Sequence, residues 1–122
     1  MRAQLKRLHS PDVLDLENFV PEPADNFSFL LQIMVGPEGG PGEESFDVQV
    51  CTPEWLKRKF KTSDIVIGRH RLIVFEYNYP RLKSFLSRRC EKCVADTWLE
   101  IAEQLSRLGH WEFEGFTPSK LE

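Results

Sequence analysis

Two alternating segments on either side of a glycine-rich linker constrain the fold more than any other feature of this sequence. In residues 27–35, apolar side chains at every second position share one face, as expected of a strand with one buried side. Residues 44–50 alternate apolar and polar side chains in the same way. The linker between them, residues 36–42, contains four glycines and two prolines, which suit neither a helix nor a strand. The sequence therefore predicts a β-hairpin with one face in the core.

Three helices are predicted from their capping signals. Residues 52–54 (Thr-Pro-Glu) combine an N-cap, a first-turn proline and a first-turn acid, and this basic helix is expected to run to about residue 61. Residues 79–80 (Tyr-Pro) begin a second helix, in which the apolar residues follow helical spacing. Residues 97–100 (Thr-Trp-Leu-Glu) match a capping box, and Gly109 is expected to end this third helix.

The remaining strand candidates are shorter or less regular. Residues 3–8 predict a short strand, and residues 11–26, rich in acids and prolines, predict a loop pinned by its hydrophobic side chains. Residues 72–77 are apolar enough to predict a strand at the centre of the sheet, and residues 111–116 alternate as an edge or hairpin strand does. Together these elements predict an α+β fold, a mainly antiparallel sheet of about four to five strands with two to three helices segregated on one face.

Length and composition predict one cytoplasmic domain. A chain of 122 residues with 41% hydrophobic and 29% charged residues is too apolar to be disordered, so residues 1–122 are expected to form a single domain. The apolar runs are far shorter than the roughly 20 residues that cross a bilayer, and the charged amino terminus does not resemble a secretory signal. Three cysteines suit a reducing compartment. We therefore expect a cytoplasmic protein with no membrane partner.

Charge is strongly segregated along the chain, although the net charge is only -3. Residues 8–56 contain ten acids and no lysine or arginine, whereas residues 57–92 contain eleven basic residues and three acids. An acidic surface built from the first half would attract basic partners and speed their arrival. The alternative is that the acids are solvated loop residues, and that the two halves neutralise each other across the fold.

Several short patterns are typical of other functions but are incomplete here. Cys90 and Cys93 match Cys-x-x-Cys, but they fall at the far end of a helical pattern, and the other metal donors are irregularly spaced. The glycine-rich linker lacks the Lys-Ser/Thr of a phosphate-binding loop. The basic stretch at residues 57–61 is short, and the chain as a whole is acidic. We therefore expect no metal, no cofactor and no nucleic-acid partner.

The cluster Arg69-His70-Arg71 is a candidate for a ligand-binding or catalytic site. A histidine between two cations could bind phosphate or transfer a proton, and the start of a predicted strand is a suitable place for it. No paired nucleophile or second carboxylate accompanies the cluster in the sequence, so a solvated surface cluster is the simpler interpretation. A small enzyme or ligand-binding domain that uses this cluster stays open as an alternative function.

Six short strings, spread over nearly the whole chain, give this sequence a resemblance to one protein family. It is family eight of the immunity proteins of bacterial polymorphic toxin systems. The strings are LHSPD (8–12), NFSFLLQ (26–32) followed by GP (36–37), EESFDVQVCTPEWL (43–56), GRH-x-LIV (68–74), DTW (96–98) and GHWEFE (109–114). The resemblance implies a cytoplasmic antidote, encoded beside a toxin, that binds the toxin domain and blocks it without catalysis. It supplies no catalytic residues.

The resemblance agrees with the charge pattern and suggests where a toxin would bind. Many such toxins are nucleases with basic clefts, which an acidic immunity surface would occupy. Our hypothesis is that the toxin-binding surface consists of six acids from the segment without basic residues. These are Asp12, Asp15, Glu17, Glu38, Glu43 and Glu44. An interaction module of an unrelated complex is a third possibility.

Overall fold

The computed structural model describes residues 1–113 of the chain. Its elements follow the predicted order of three strands, a helix, a strand, two helices and a last strand, so the α+β class is confirmed. They are β1 (Ala3–His9), β2 (Ser28–Pro37), β3 (Glu44–Cys51), α1 (Pro53–Lys59), β4 (Arg71–Ile73), α2 (Tyr79–Glu91), α3 (Trp98–Leu105) and β5 (His110–Trp111).

The predicted hairpin is the centre of the sheet. β2 and β3 pair antiparallel in one unbroken register, from Ser28 opposite Cys51 to Val35 opposite Glu44. β1 pairs with the other side of β2, also antiparallel, with one irregularity between Leu5 and Arg7. The apolar set of each central strand is buried, because successive side chains of a strand point to opposite faces. This buried set is Phe29, Leu31, Ile33, Val35, Phe46, Val48 and Val50.

The two later helices cover the buried face of the sheet. Leu82, Leu86 and Cys90 of α2 follow one another at a spacing of four residues and join the same core cluster as the strands. α3 contributes a second group to that cluster, Ile101, Ala102 and Leu105. α1 buries none of its residues. The core therefore lies between the hairpin and the pair α2 and α3.

The prediction of a long central strand at residues 72–77 is wrong. β4 has only three residues, runs parallel to β3, and lies at the outer edge of the sheet. β5 pairs with the same edge of β3, opposite Phe46 and Asp47, so the two short strands share it. Beyond Ile73 the chain leaves the sheet, and Phe75 is 82% exposed. A short apolar run does not reveal from sequence alone whether its side chains are buried.

The helix and strand ends agree with the capping signals to within a few residues. The hydroxyl of Thr52 caps α1 by accepting from the Trp55 amide, and it also accepts from the Phe27 amide of the neighbouring segment. α1 ends at Lys59 rather than residue 61. α3 ends at Leu105, and Gly109 lies against β3, where a Cβ would come within 2.9 Å of the Phe46 backbone. The prediction of a final strand at 111–116 is met only at its start, since residues 114–116 lie outside the described residues.

Candidate functional site

The first three predicted contact residues lie in the β1–β2 loop, residues 10–27. A carboxylate oxygen of Asp12 accepts the Leu30 amide of β2 at 2.8 Å. The Asp15 carboxylate accepts the Glu17 amide at 3.2 Å and the Asn18 side-chain amide at 2.8 Å, which closes a local turn. Two of the predicted contact residues, Asp12 and Asp15, therefore shape the loop, while Glu17 projects from it as an exposed carboxylate.

The other three acids lie at the hairpin loop, residues 38–43, and at the start of β3, and two of them pair with arginines near the amino terminus. Arg7 forms an ion pair with Glu43 at 2.7 Å, and Arg2 forms a longer one with Glu38 at 3.9 Å. Both pairs are largely exposed, so each contributes little to stability. In this part of the molecule the acids are partly neutralised by Arg2 and Arg7, which lie before the acidic segment, and not by the basic residues 57–92 that the alternative interpretation of the charge pattern invoked.

Glu44 differs from the other acids because it is half-buried and has a defined structural role. One carboxylate oxygen accepts the indole N–H of Trp98 at 2.8 Å, and the other accepts the indole N–H of Trp111. Trp98 begins α3 and Trp111 belongs to β5. Glu44 therefore ties these two elements to the start of β3.

The six acids do not form one continuous cluster. Asp12 is bonded to Leu30, near the start of β2, whereas Glu44 lies opposite Val35, near its end. Five residues of a strand span roughly 17 Å at about 3.4 Å per residue. The structure thus brings together Asp12, Asp15 and Glu17 at one end of the sheet, and Glu38, Glu43 and Glu44 at the other.

The β1–β2 loop is fixed against the segment that connects β4 to α2. The Tyr77 hydroxyl donates a hydrogen bond to the Leu16 carbonyl, and the Phe19 ring packs edge-to-face on the Tyr77 ring at 5.1 Å between centroids. Burial is the main reason that the pKa of Tyr77 is raised to about 12, so this hydroxyl keeps its proton at neutral pH. The contacts place Glu17 beside α2. A shallow depression of about 790 Å³, the polar depression, is lined by Glu17, Asn18 and the outer face of α2.

α2 also borders a second concavity. This apolar groove, of about 760 Å³, is formed by residues 72–78 and α2. Three exposed apolar side chains line it: Phe75 at 82%, Ile73 at 47% and Phe85 at 46% exposure. The sequence does not predict this groove, because the pattern of residues 72–77 is typical of a buried strand. The available signal was the position of Phe85, three residues after Leu82, on the flank of the buried helix stripe.

Two residues of the Arg69-His70-Arg71 cluster, His70 and Arg71, make contacts inside the fold. The ring Nε2–H of His70 donates to the Ser106 carbonyl at 2.8 Å, just beyond α3. Arg71 donates from Nε to the Gln49 side chain at 3.1 Å, and its guanidinium lies over the Phe60 ring at 5.3 Å. His70 and Arg71 thus make separate contacts, and neither lines the two concavities described above. These contacts bind the edge strand β4 to α3 and β3.

The three cysteines are buried free thiols. Burial is the main cause of the raised pKa of each, and it raises that of Cys90 to about 12, which suppresses the reactive thiolate form. Among residues 1–113, no group of three or more His, Cys, Asp or Glu side chains could hold a metal ion. Within the same part of the chain, no helix is long and apolar enough to cross a membrane.

Comparison with known proteins identifies the family. A family model described as Immunity protein 8 matches residues 3–116, which include every element of the fold. No curated protein and no solved structure gave a significant match. The match covers most of the chain and confirms the resemblance of the six sequence strings. This chain therefore belongs to the Immunity protein 8 family.

Proposed function

We propose that this chain is an immunity protein that neutralises a cognate toxin domain by stoichiometric binding, acting in the cytoplasm as one domain over residues 1–122. The observation that carries the proposal is the family match over residues 3–116. The buried thiols and the contact of His70 inside the fold support it, because these side chains, which were candidates for catalysis, have structural contacts. Binding requires only a complementary surface, and catalysis has no part in the proposed mechanism.

The proposed contact surface includes the exposed acids at both ends of β2. Glu17 projects beside α2 and is not in an ion pair with any described residue, so its charge is available to a toxin cation. Glu38 and Glu43 pair with Arg2 and Arg7 on the surface, where such pairs are weak enough to be exchanged for a partner's cations. A basic toxin, for example a nuclease with a cationic cleft, would be attracted by these charges. Asp12, Asp15 and Glu44 support the surface through their bonds within the fold.

The function is tested with the purified toxin-like domain encoded beside this chain. The two proteins should form a complex, and co-expression should restore growth to cells that express the toxin domain. Inhibition should be complete at an equimolar ratio, since each toxin molecule requires its own antidote. An enzyme that inactivates the toxin would act at a much lower ratio, and that result would contradict the proposal.

The contribution of the acids is tested by charge reversal. Replacing Glu17 and Glu38 by lysine, together, should slow association at least about tenfold at low salt, because steering depends on the summed field. Replacing Glu100 and Glu103 by lysine, together, is the matched control, since both are exposed acids on α3, outside the acidic segment, and the net charge changes by the same amount. Equal association rates for the double variant and the control would show that these acids do not speed association with the toxin. The proposed immunity function itself would stand.

A further inference from the structure

The apolar groove brings three exposed apolar side chains together in one concavity. Phe75 is 82% exposed beside Ile73 and Phe85, which are both nearly half-exposed, and the three line one concavity. Clustered exposed apolar side chains of this kind mark binding surfaces, whereas isolated ones are ordinary. Exposed aromatic residues in a concavity are also the residues that most often dominate binding energy at protein interfaces.

The charges around the groove indicate the chemistry of its occupant. Arg81 and Arg88 line it from α2, and neither is in an ion pair with a carboxylate among residues 1–113. Glu76 is the acid among the lining residues. An exposed apolar groove with two unpaired guanidinium groups is complementary to an apolar side chain flanked by a carboxylate, since arginine binds carboxylates with directional hydrogen bonds.

The groove is continuous with the surface that the proposed function uses. Pro80, Ser84 and Arg88 of α2 line both the apolar groove and the polar depression. The opposite wall of the depression carries Glu17, the exposed acid proposed to meet a toxin cation. The β1–β2 loop, the outer face of α2 and the apolar groove therefore form one uninterrupted surface.

We infer that the apolar groove is the anchor site of the toxin interface, and that it takes a large apolar side chain of the toxin domain with a carboxylate close to it in space. This inference rests on the proposed function and specifies its contact surface. Phe75 packs against the apolar side chain, and Arg81 and Arg88 bind the carboxylate. Glu17 binds a cation elsewhere on the same toxin face, so that opposite charges at the two ends of the surface fix the orientation of the complex.

The experiment measures the dissociation constant of the chain and its variants against the purified toxin-like domain encoded beside it. Phe75→Ala should weaken binding at least about 30-fold, as expected for a central aromatic anchor. Ile65→Ala is the matched control, because Ile65 is 84% exposed and lies outside the groove, and it should change affinity less than about threefold. Since Phe75 is so exposed, its truncation should leave the thermal unfolding midpoint unchanged.

The charges are tested separately. Replacing Arg81 and Arg88 by glutamate, together, should weaken binding at least about tenfold, while the same replacement of Lys57 and Lys59, both exposed on α1, should have little effect. If the unmodified chain binds the toxin domain and the Phe75 variant binds equally well, the groove is not the anchor and the immunity function stands. If Phe75→Ala instead abolishes self-association of the chain and leaves toxin affinity unchanged, the groove is a homotypic contact and the inference is overturned. If the unmodified chain itself does not bind, the proposed function fails, and the inference fails with it.

Discussion

Glu44 should contribute more to stability than any other acid of the predicted contact set. Its two carboxylate oxygens accept the indole N–H groups of Trp98 and Trp111, and the Trp111 side chain is buried. A hydrogen bond to a charged group contributes about 1.5–3 kcal/mol, and the half-buried position of Glu44 favours the lower value. Two such bonds give a loss of about 3 kcal/mol in the free energy of unfolding for Glu44→Ala. Glu44→Gln should lose less, because its amide oxygen still accepts one indole.

Glu43→Ala is the control for this prediction, since the two glutamates are adjacent in sequence. The Glu43 carboxylate pairs with Arg7 on the surface, and an exposed pair of this kind contributes about 0.2–1 kcal/mol. Urea unfolding followed by far-UV circular dichroism measures both variants without relying on the fluorescence of the two affected tryptophans. Losses that agree within about 0.5 kcal/mol would refute the reasoning that indole bonding makes Glu44 a structural residue.

Two further predictions concern the core. Gly109→Ala should cost about 1–3 kcal/mol in urea unfolding, because the new Cβ would lie 2.9 Å from the Phe46 backbone; a loss below about 0.5 kcal/mol would show that β5 shifts freely. Burial is the main factor that raises the pKa of Cys90 from 9.0 and of Tyr77 from 10.0, each to about 12. In the folded protein both groups are protonated below about pH 12, whereas in the unfolded chain they ionise at lower pH. The free energy of unfolding should therefore be insensitive to these groups from neutral pH to about pH 8 and fall between about pH 8 and 12; a rise over that interval would contradict the burial of these groups.

The parts of the fold that the sequence predicted correctly are those governed by local patterns. Alternation identified β2 and β3, and capping residues placed the starts of α1 and α3. β4 was predicted too long and in the wrong place, because an apolar run has the same appearance whether its side chains meet a core or line a groove. That difference is set where the chain leaves the sheet beyond Ile73, which sequence periodicity does not report.

The acidic site was only partly predictable, since the partners of each acid are distant in sequence. Glu43 and Glu44 are neighbours in the chain, yet one pairs with a β1 arginine 36 residues away and the other with indoles 54 and 67 residues away. Arg2 and Arg7 lie outside the acidic segment in the sequence, but the pairing of β1 with β2 brings both of them to the hairpin loop. The continuity between Glu17 and the apolar groove depends on the contact of Tyr77 with Leu16, which no local pattern indicates.

The most direct test of the central claim is a calorimetric titration of the purified chain into the purified toxin-like domain encoded beside it. Stoichiometric neutralisation predicts saturation at one chain per toxin domain with a dissociation constant of about 1 nM or tighter, since the complex must persist while the toxin could reach its target. The absence of binding at concentrations of about 10 μM would contradict the account, because a toxin bound that weakly would remain active.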